Sequence, residues 1–273
     1  MGDPFYIEGP ALISFSGGRT SGYMLHAIVQ AHGGVLPDNV VVAFANTGKE
    51  REQTLRFVRD CATQWGVSVR WLEWRDAPAK FAEVTYETAS RHGEPFAAVI
   101  AKRKFLPNAV TRFCTQELKI RVMRDFARSL GWERWTNVIG LRYDEGHRVM
   151  KALAANDAGR ERWRNAMPLS KAKVTKANVR AFWSARNFDL QLRDYEGNCD
   201  LCMLKARGKL CTIIRENAGI ADWWMEQERK TGGRFVTEYA YADLVDQVDR
   251  QGFFQFDADA EHDAECGLLC GAH

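Results

Sequence analysis

The sequence lacks any long hydrophobic run. Its longest apolar stretch, near residues 39–45, is far too short to cross a bilayer. The first ten residues, MGDPFYIEGP, lack the basic and apolar regions of a secretory signal. Internal repeats and low-complexity tracts are also absent. We therefore expect a folded, cytoplasmic protein with no membrane contact.

A strong charge of either sign is missing as well. The chain has 38 Lys and Arg residues against 35 Asp and Glu residues, for a net charge of +3. Nucleic-acid binding needs clustered charge, so this small excess does not predict it. Short basic clusters do occur at residues 102–104, 171–176 and 205–209. Such clusters usually lie on solvent-exposed faces. They leave the question of a tRNA or DNA substrate undecided.

Two familiar phosphate-binding fingerprints are absent, since the chain has neither G-x-G-x-x-G nor G-x-x-x-x-G-K-[ST]. In their place, the stretch LISFSGGRTSGYML carries S-G-G-x-x-S at residues 16–21. Glycines let backbone N–H groups close on phosphate oxygens, and the positive end of the following helix points to the same place. Ser16 and Ser21 can add hydroxyl donors, and Arg19 can add a charge. The motif predicts a phosphate site; the alternative is a tight strand-to-helix turn with an incidental cap.

Apolar periodicity predicts the fold class. Residues 11–15, 40–45, 67–74 and 136–139 have the pattern of short buried strands, and the stretches between them show helical spacing. Alternating strands and helices predict an α/β fold with a doubly wound, mainly parallel sheet, whose sites lie at the carboxyl ends of the strands. Residues 77–107 have the pattern of a long loop.

The chain becomes rich in loop signals beyond about residue 195 and finishes in an acidic tail. We therefore divide it into an α/β nucleotide-binding domain, residues 1–195, and a cysteine-rich C-terminal region, residues 196–273.

Seven cysteines in a chain expected to be cytoplasmic are reduced thiols, metal ligands or redox groups rather than a disulfide framework. Cys199 and Cys202 form a C-x-x-C motif, Cys211 follows it, and Cys114 is remote. Soft thiolates in this number suit zinc or an iron–sulfur cluster. Zinc ribbons usually pair two close C-x-x-C knuckles, whereas one candidate ligand is remote here. Ordinary buried thiols are the alternative.

The S-G-G-x-x-S stretch resembles the PP-loop of the ATP pyrophosphatase superfamily, whose members cleave ATP between the α and β phosphates. Within it, the chain is similar to the phosphoadenosine phosphosulfate (PAPS) reductase-like family. Residues 46–50 with Thr54 resemble D-T-G-x-x-F-x-E-T, and residues 140–145 with Arg148 resemble G-x-R-x-x-[DES]-x-x-R. Residues 167–169, followed by Val179 and residues 182–183, resemble P-L-x-D-W…D-V-W-x-Y. The motifs come in family order over about residues 10–215.

This resemblance implies an adenine nucleotide alpha hydrolase-like fold that binds ATP with Mg²⁺. It implies Arg19, Lys49 and Arg142 as catalytic cations that stabilise the departing pyrophosphate. The nucleotide would bind along three strand-end segments, which contain Ser14, Ser16, Gly17, Gly18, Arg19, Thr20, Ser21, Asn46, Thr47, Gly48, Gly140, Arg142 and Arg148.

Two positions depart from the family pattern. Thr20 stands where many pyrophosphatases carry Asp, and Asn46 stands where the reductases usually carry Asp. Sulfonucleotide reductases generally have a degenerate PP-loop, because they have no pyrophosphate to hold. The intact S-G-G-x-x-S motif therefore favours ATP cleavage over sulfonucleotide reduction.

The cysteines also resemble a family arrangement. Assimilatory adenylyl-sulfate reductases hold a 4Fe-4S cluster with a Cys-Cys pair and a distant C-x-x-C. Cys114 matches one member of that pair, whose second Cys is missing, and Cys199 and Cys202 match the later motif. Cys211 replaces the fourth ligand, an arrangement similar to the pyrophosphatase-like proteins of DNA phosphorothioation. The resemblance thus implies a 4Fe-4S cluster on Cys114, Cys199, Cys202 and Cys211, with Zn²⁺ as the alternative.

The C-terminal stretch ECGLLCG resembles the E-C-G-[LI]-H end of PAPS reductases, in which the Cys attacks the substrate sulfur. Cys266 occupies that position, Leu269 replaces the His, and Cys270 follows. The resemblance implies that Cys266 is catalytic. A chain end without a role is the alternative.

We therefore expect an enzyme, a PP-loop ATP pyrophosphatase that adenylates a substrate for sulfur transfer. Its partners would be a small-molecule nucleotide, a sulfur donor such as a cysteine desulfurase and, as an open possibility, a tRNA or DNA substrate. One alternative is a sulfonucleotide reductase that uses Cys266 and a thioredoxin partner. Another is a non-catalytic nucleotide-binding sensor. In each case we expect a homo-oligomer.

Overall fold

A six-stranded sheet forms the centre of the computed structural model, which describes residues 2–251. The strand order is β4-β3-β2-β1-β5-β6. Neighbouring strands run parallel except for the β3–β4 pair, which is antiparallel. The strands are β1 (Ala11–Ser14), β2 (Val40–Asn46), β3 (Val69–Trp74), β4 (Phe81–Val84), β5 (Trp135–Val138) and β6 (Trp163–Ala166).

Helices follow most strands. They are α1 (Arg19–Ala31), α2 (Glu52–Trp65), α3 (Glu94–Arg103), α4 (Phe113–Thr115), α5 (Val122–Ser129), α6 (Gly146–Ala158), α7 (Pro168–Lys171), α8 (Lys176–Ser184), α9 (Arg207–Glu216), α10 (Asp222–Thr231) and α11 (Tyr241–Gln251). A π-helical segment, Gln116–Arg121, joins α4 to α5 with helical dihedral angles at both junctions.

The two faces of the sheet bury two separate apolar cores. Leu12 of β1 faces the core that contains Phe126 of α5, whereas Ile13 faces the core that contains Met24 of α1 and Val58 of α2. This alternation follows from the two-residue period of a strand. Both cores are covered by helices, so the predicted doubly wound, mainly parallel α/β fold is confirmed.

Two segments differ from the sequence-based expectation. Residues 77–107 are not one long loop, because they contain β4, which pairs with β3, and helix α3, which has Pro95 in its first turn. The C-terminal region is loop-rich over residues 185–206 and then forms α9, α10 and α11. Leu210 and Trp224 of that region pack in the same core as Leu12. The division at residues 195 and 196 stays a prediction.

None of the helices within residues 2–251 combines the length and the apolar character that a membrane crossing requires.

One buried carboxylate organises the carboxyl ends of β2 and β3. Glu73 is fully buried and lies opposite Asn46 in the strand pairing. It accepts hydrogen bonds from Asn46 Nδ2 at 2.7 Å, from the Ser90 backbone amide at 2.6 Å and from Ser90 Oγ at 2.8 Å. Arg75 adds an ion pair at 2.7 Å. These contacts satisfy the carboxylate charge and attach the segment around Ser90 to the carboxyl ends of β2 and β3.

Glu73→Gln should lower the free energy of unfolding by about 3 kcal/mol, because the buried acceptor loses its charge and gains a misplaced donor. The measurement is chemical denaturation, with the midpoint shifted and the slope unchanged. The matched control is Glu83→Gln on the adjacent strand, which breaks an ion pair with Arg70 that is 40% exposed on both sides. That exposed pair should cost less than about 1 kcal/mol. Equal losses in the two variants would contradict the assigned role of Glu73.

Candidate functional site

A cavity of about 510 Å³ opens at the carboxyl ends of the strands. Its walls include the loop after β1, Thr47 after β2, the Gly140–Arg142 turn after β5, and the chain between Asp189 and Lys209. Parallel sheets of this topology form crevices at this edge, where the crossover connections diverge. The volume lies in the range of small-molecule sites.

The loop after β1 contains a glycine that no other residue could replace without strain. Gly17 has φ +73°, and a Cβ there would lie 2.7 Å from Thr54 Cγ2. Gly18 then caps α1 in an extended conformation. The backbone amides of the first turn have no acceptor within the helix, so they and the helix dipole point toward the cavity. The local geometry is that of an anion site.

Two serines shape the inside of this loop. Ser16 Oγ and Ser21 Oγ are 2.9 Å apart, and Ser21 Oγ donates to the Gly18 carbonyl at 3.0 Å. Both side chains line the cavity. Ser14 also lines it and donates to Asn137 Oδ1 at 2.8 Å. The hydroxyl groups expected to contact phosphate are therefore brought together.

Arg142 connects the loop after β5 to the first loop. Its buried guanidinium donates to Thr20 Oγ1 at 3.0 Å and to Asp144 Oδ1 at 2.9 Å. Gly140 lets the two loops approach, since a Cβ there would lie 3.3 Å from Ser21 Cα. Arg148 lines the same wall and forms an ion pair with Glu145. Thus Thr20, Gly140, Arg142 and Arg148 line the same cavity, and their contact with a nucleotide stays a prediction.

Of the second-strand segment, only Thr47 reaches the cavity wall within the described residues. Thr47 is held by Glu50, whose Oε2 accepts from the Thr47 amide and hydroxyl, both at 2.8 Å. Asn46 lies in the buried Glu73 network. Gly48 has φ +79° and packs against Gly93. Asn46 and Gly48 therefore shape the turn, and direct nucleotide contact by them stays a prediction.

The two other expected cations are engaged by carboxylates. Arg19 lines the cavity, but its Nε donates to Asp189 Oδ1 at 2.7 Å. That hydrogen bond raises the pKa of the Arg19 guanidinium. Lys49 Nζ lies 2.7 Å from Asp200 Oδ2 and 5.0 Å from the centre of the Trp223 ring, and it is not part of the cavity wall. The Lys49 ammonium group is therefore paired with the buried Asp200 carboxylate and does not face the cavity where a phosphate was expected.

Three of the four expected metal ligands line the cavity: Cys114, Cys199 and Cys202. Cys211 lies on α9, fully buried in the apolar core. In residues 2–251, no group of three or more His, Cys, Asp or Glu side chains is placed to hold a metal ion. Thiolates suit iron–sulfur or zinc chemistry, but the four-cysteine ligand set is not assembled in this arrangement. A metal centre on these residues stays a prediction.

The C-x-x-C thiols interact with each other. The hydrogen bond between them lowers the pKa of the Cys202 thiol to about 6 and raises the pKa of the Cys199 thiol well above its usual value. The positive charges of Lys205 and Lys119 also favour the Cys202 thiolate. All of the cysteines in the described range, the C-x-x-C pair included, are free of disulfides.

Backbone and amide hydrogen bonds tie the cysteine segment to the first two loops. Asn198 Nδ2 donates to the Ser16 carbonyl at 2.8 Å. The Arg51 amide donates to the Asn198 carbonyl at 2.7 Å, and the Asp200 amide donates to the Lys49 carbonyl at 3.0 Å. The glycine loop after β1, the turn after β2 and the C-x-x-C motif are therefore joined by direct hydrogen bonds.

Two lysines at the cysteine end of the cavity were not predicted as site residues. Lys119 lies in the π-helical segment with Nζ 3.4 Å from Glu50 Oε1. Lys205 is buried, and its Nζ donates to the carbonyls of Cys199 and Asp200. Lys205 lies near the C-x-x-C in the sequence, which was a usable signal. Lys119 follows Cys114 by five positions. In a regular α-helix, two residues five positions apart do not lie on the same face of the helix.

Cys266 and Cys270 lie outside the described residues, and the catalytic role expected for Cys266 stays a prediction.

Known proteins offer limited comparison. No family model matches the chain. Among curated proteins, the uncharacterized nin region protein ORF290 of Escherichia phage lambda is 28% identical over 218 residues, covering 77% of this chain and 71% of that protein. Among solved structures, the U34-tRNA thiolase NcsA from Methanococcus maripaludis with its [4Fe-4S] cluster is similar at a TM-score of 0.42 and 12% identity, covering 92% of this chain and 74% of that one. These values assign the chain to no family.

Lys49→Met should lower the free energy of unfolding by about 3 kcal/mol, because it leaves the Asp200 carboxylate buried without its cation. The double variant Lys49→Met/Asp200→Asn should recover much of that loss, which a double-mutant cycle measures by chemical denaturation.

A matched control is Lys230→Met, which breaks an ion pair with Glu226 that is 55% and 46% exposed and should change stability little. If Lys49→Met weakened ATP binding while leaving stability intact, Lys49 would instead contact phosphate, as the sequence suggested.

Proposed function

We propose that this chain is a PP-loop ATP pyrophosphatase of the adenine nucleotide alpha hydrolase-like type, which adenylates an acceptor for sulfur transfer. One observation carries the proposal. The S-G-G-x-x-S loop and the C-x-x-C motif line the same cavity, and Asn198 joins them through the Ser16 carbonyl. A site that only bound nucleotide would have no need of thiols beside its phosphate loop.

The first step is transfer of adenylate. ATP with Mg²⁺ binds with its β and γ phosphates on the backbone amides and hydroxyls of residues 16–21. An acceptor oxygen, such as a nucleobase carbonyl in tRNA or DNA, attacks the α-phosphorus. The bond between the α-phosphorus and the bridging oxygen breaks, and pyrophosphate leaves with that electron pair. The loop amides and Arg142 stabilise the charge that develops on the leaving group.

The second step is sulfur transfer. A sulfide ion attacks the activated carbon, the carbon–oxygen bond breaks, and AMP leaves with that electron pair. A cysteine desulfurase, whose sulfur is carried as a persulfide, would supply this sulfide together with a thiol reductant that is oxidised to a disulfide. The presence of Cys114, Cys199 and Cys202 in the wall of the same cavity supports this step. The low pKa of Cys202 keeps its sulfur ionised near neutral pH. A 4Fe-4S or Zn²⁺ centre on the cysteines would supply sulfur binding, but no step proposed here depends on it.

The test uses anaerobically purified full-length protein, radiolabelled ATP and total bacterial RNA or DNA as acceptor. We expect AMP and pyrophosphate as products. Sulfite release from adenylyl sulfate with thioredoxin would overturn the proposal in favour of a reductase. ADP and phosphate as products, or ATP binding without turnover, would overturn it as well.

Gly17→Ala should lower pyrophosphate release by at least about tenfold, the factor that corresponds to about 1.4 kcal/mol. Its Cβ must displace Thr54, and the loop amides move with it. The matched control is Gly66→Ala, because Gly66 also has a positive φ, of +63°, but its Cβ would meet nothing within 4 Å. Both variants bear the cost of positive φ. If both lost stability alike and kept full turnover, the loop would have no part in the reaction.

A further inference from the structure

A second cavity, of about 110 Å³, lies between the sheet and the helices α5 and α6. Its floor comes from three neighbouring strands, β1, β5 and β6. Alternate residues of each strand face it, since Trp135 is paired with Trp163 and Asn137 with Asn165. The cavity meets the first one at Ser14, which lines both. The proposed reaction makes no use of it.

A row of buried polar side chains crosses the floor of this second cavity. Ser14 Oγ donates to Asn137 Oδ1 at 2.8 Å, and Asn137 Nδ2 donates to Asn165 Oδ1 at 2.9 Å. Asn165 is only 7% exposed, and within residues 2–251 its Nδ2 group has no hydrogen-bond acceptor. The row therefore ends in an unused donor at the cavity. Buried donors without a partner are rare and costly, so this one points to a ligand that accepts from it.

The position of this donor is fixed by helix α6. Asn156 Nδ2 donates to the Asn165 carbonyl at 2.9 Å, and the Asn165 amide donates to Asn156 Oδ1 at 2.7 Å. The backbone of Asn165 is thus held from the helix, and its Oδ1 is held by Asn137 across the sheet. The remaining side-chain group, Nδ2, is presented to the cavity in one orientation.

The walls suit a flat apolar ring. Trp135 and Trp163 line the cavity with ring centres 5.4 Å apart and planes inclined by 32°. Leu12, Ile120 and Met123 line it as well. A buried water needs about two to four polar partners, which indole and aliphatic surfaces do not supply. A cavity of about 150 Å³ holds one benzene ring, so the volume here admits a single six-membered ring and nothing larger.

The remaining wall carries an excess of positive charge. Arg124 of α5 and Lys151 of α6 line the cavity, and Glu161 is the only carboxylate among its described lining residues. Arg124 pairs with Asp125 at 2.8 Å. Lys151 forms no ion pair within residues 2–251. A carboxylate carried by the ring would therefore find an unpaired ammonium group beside it.

We propose that this second cavity binds a single-ring heteroaromatic carboxylate, of the size and chemistry of a pyridine carboxylate. The ring lies against the two indoles, the ring nitrogen accepts from Asn165 Nδ2, and the carboxylate pairs with Lys151. The site is distinct from the nucleotide cavity, and the proposal does not depend on the proposed function.

Binding is measured with the full-length protein by calorimetric titration and ligand-observed NMR, with pyridine-3-carboxylate as the probe. We expect saturable binding with a dissociation constant of about 1 mM or lower. Benzoate lacks the ring acceptor and pyridine-3-carboxamide lacks the charge, so each should bind about fivefold more weakly or worse. The proposal is wrong if pyridine-3-carboxylate shows no saturable binding up to about 20 mM, or if either comparator binds as tightly.

A nonhydrolysable ATP analogue separates the two cavities. With the analogue present in excess, pyridine-3-carboxylate should still bind, because its site holds no part of the glycine loop. Competitive displacement by the analogue would place the probe in the nucleotide cavity and overturn the proposal. A protein that binds the probe but no ATP analogue supports this site and counts against the proposed function.

Two pairs of variants locate the site. Ala155→Leu fills the cavity from α6 and should abolish binding, whereas Ala154→Leu adds the same side chain on the exposed side of that helix and should not. Lys151→Met should weaken pyridine-3-carboxylate binding by about tenfold and leave pyridine-3-carboxamide unaffected. Lys171→Met, outside both cavities, should change neither. Unfolding temperatures verify that the variants fold, and wild-type affinity in both Ala155→Leu and Lys151→Met overturns the proposal.

The Asn165 donor has a spectroscopic test that does not require a variant to bind. Asn165→Asp keeps an acceptor for Asn137 but removes the donor, and it identifies the Asn165 side-chain amide signals by their loss from the ¹H–¹⁵N spectrum. In the wild-type protein these signals should shift on titration with pyridine-3-carboxylate, and shift less with benzoate. Unchanged signals in a protein that binds the probe would place the ligand elsewhere and contradict the assignment.

Discussion

The hydrogen bond from the Asn198 side chain to the Ser16 carbonyl holds the site together. Ser16 belongs to the glycine loop after β1, and Asn198 immediately precedes the C-x-x-C motif. Without this contact the two would be only neighbouring segments of chain. Backbone pairing of residues 198–200 with Lys49 and Arg51 extends the same junction, so three separate stretches of sequence become one surface. Chemistry that needs a phosphate and a thiol within reach of one substrate depends on such a junction.

Buried charge fixes how these stretches fit together. Lys49 with Asp200 and Arg51 with Glu196 form ion pairs whose side chains are at most 12% exposed. Such pairs add little net stability relative to apolar packing, but a wrong alignment would leave a charge buried and unpaired. Asp200 also accepts from Trp224 Nε1 at 3.0 Å, which brings α10 into the same junction. These buried ion pairs therefore favour one alignment of residues 198–200 against the turn after β2, residues 47–51.

Local patterns in the sequence were sufficient for much of the fold. The buried strands, the glycine loop and the helix after it are each encoded within a few consecutive residues, so their periodicity predicts them. Thr20, Ser21, Gly140 and Arg142 meet because parallel strands end at one edge, a rule that needs no tertiary detail. The ligand set of four cysteines stays a prediction, since the structure places Cys211 in the apolar core, apart from the other three.

Contacts between residues far apart in the sequence determine the features that sequence patterns did not predict. Lys49 follows β2 where a phosphate contact was expected, but Asp200 comes from far along the chain and takes its ammonium group. Residues 77–107 looked irregular because β4 is short and half exposed, and only its pairing with β3 defines it. Lys119 was missed because the helix that carries it has a π-type turn.

That π-helical segment has a consequence for how the chain can change. A π turn holds one more residue than an α turn, so removing a single residue between Cys114 and Val122 would let the helix close with regular spacing. Each residue of an α-helix advances by about 100°, so either Cys114 or Lys119 would then rotate out of the cavity while the other stayed. The packing of α5 need not suffer. An insertion or deletion at this one position can therefore remove a side chain from the cavity and leave the fold stable.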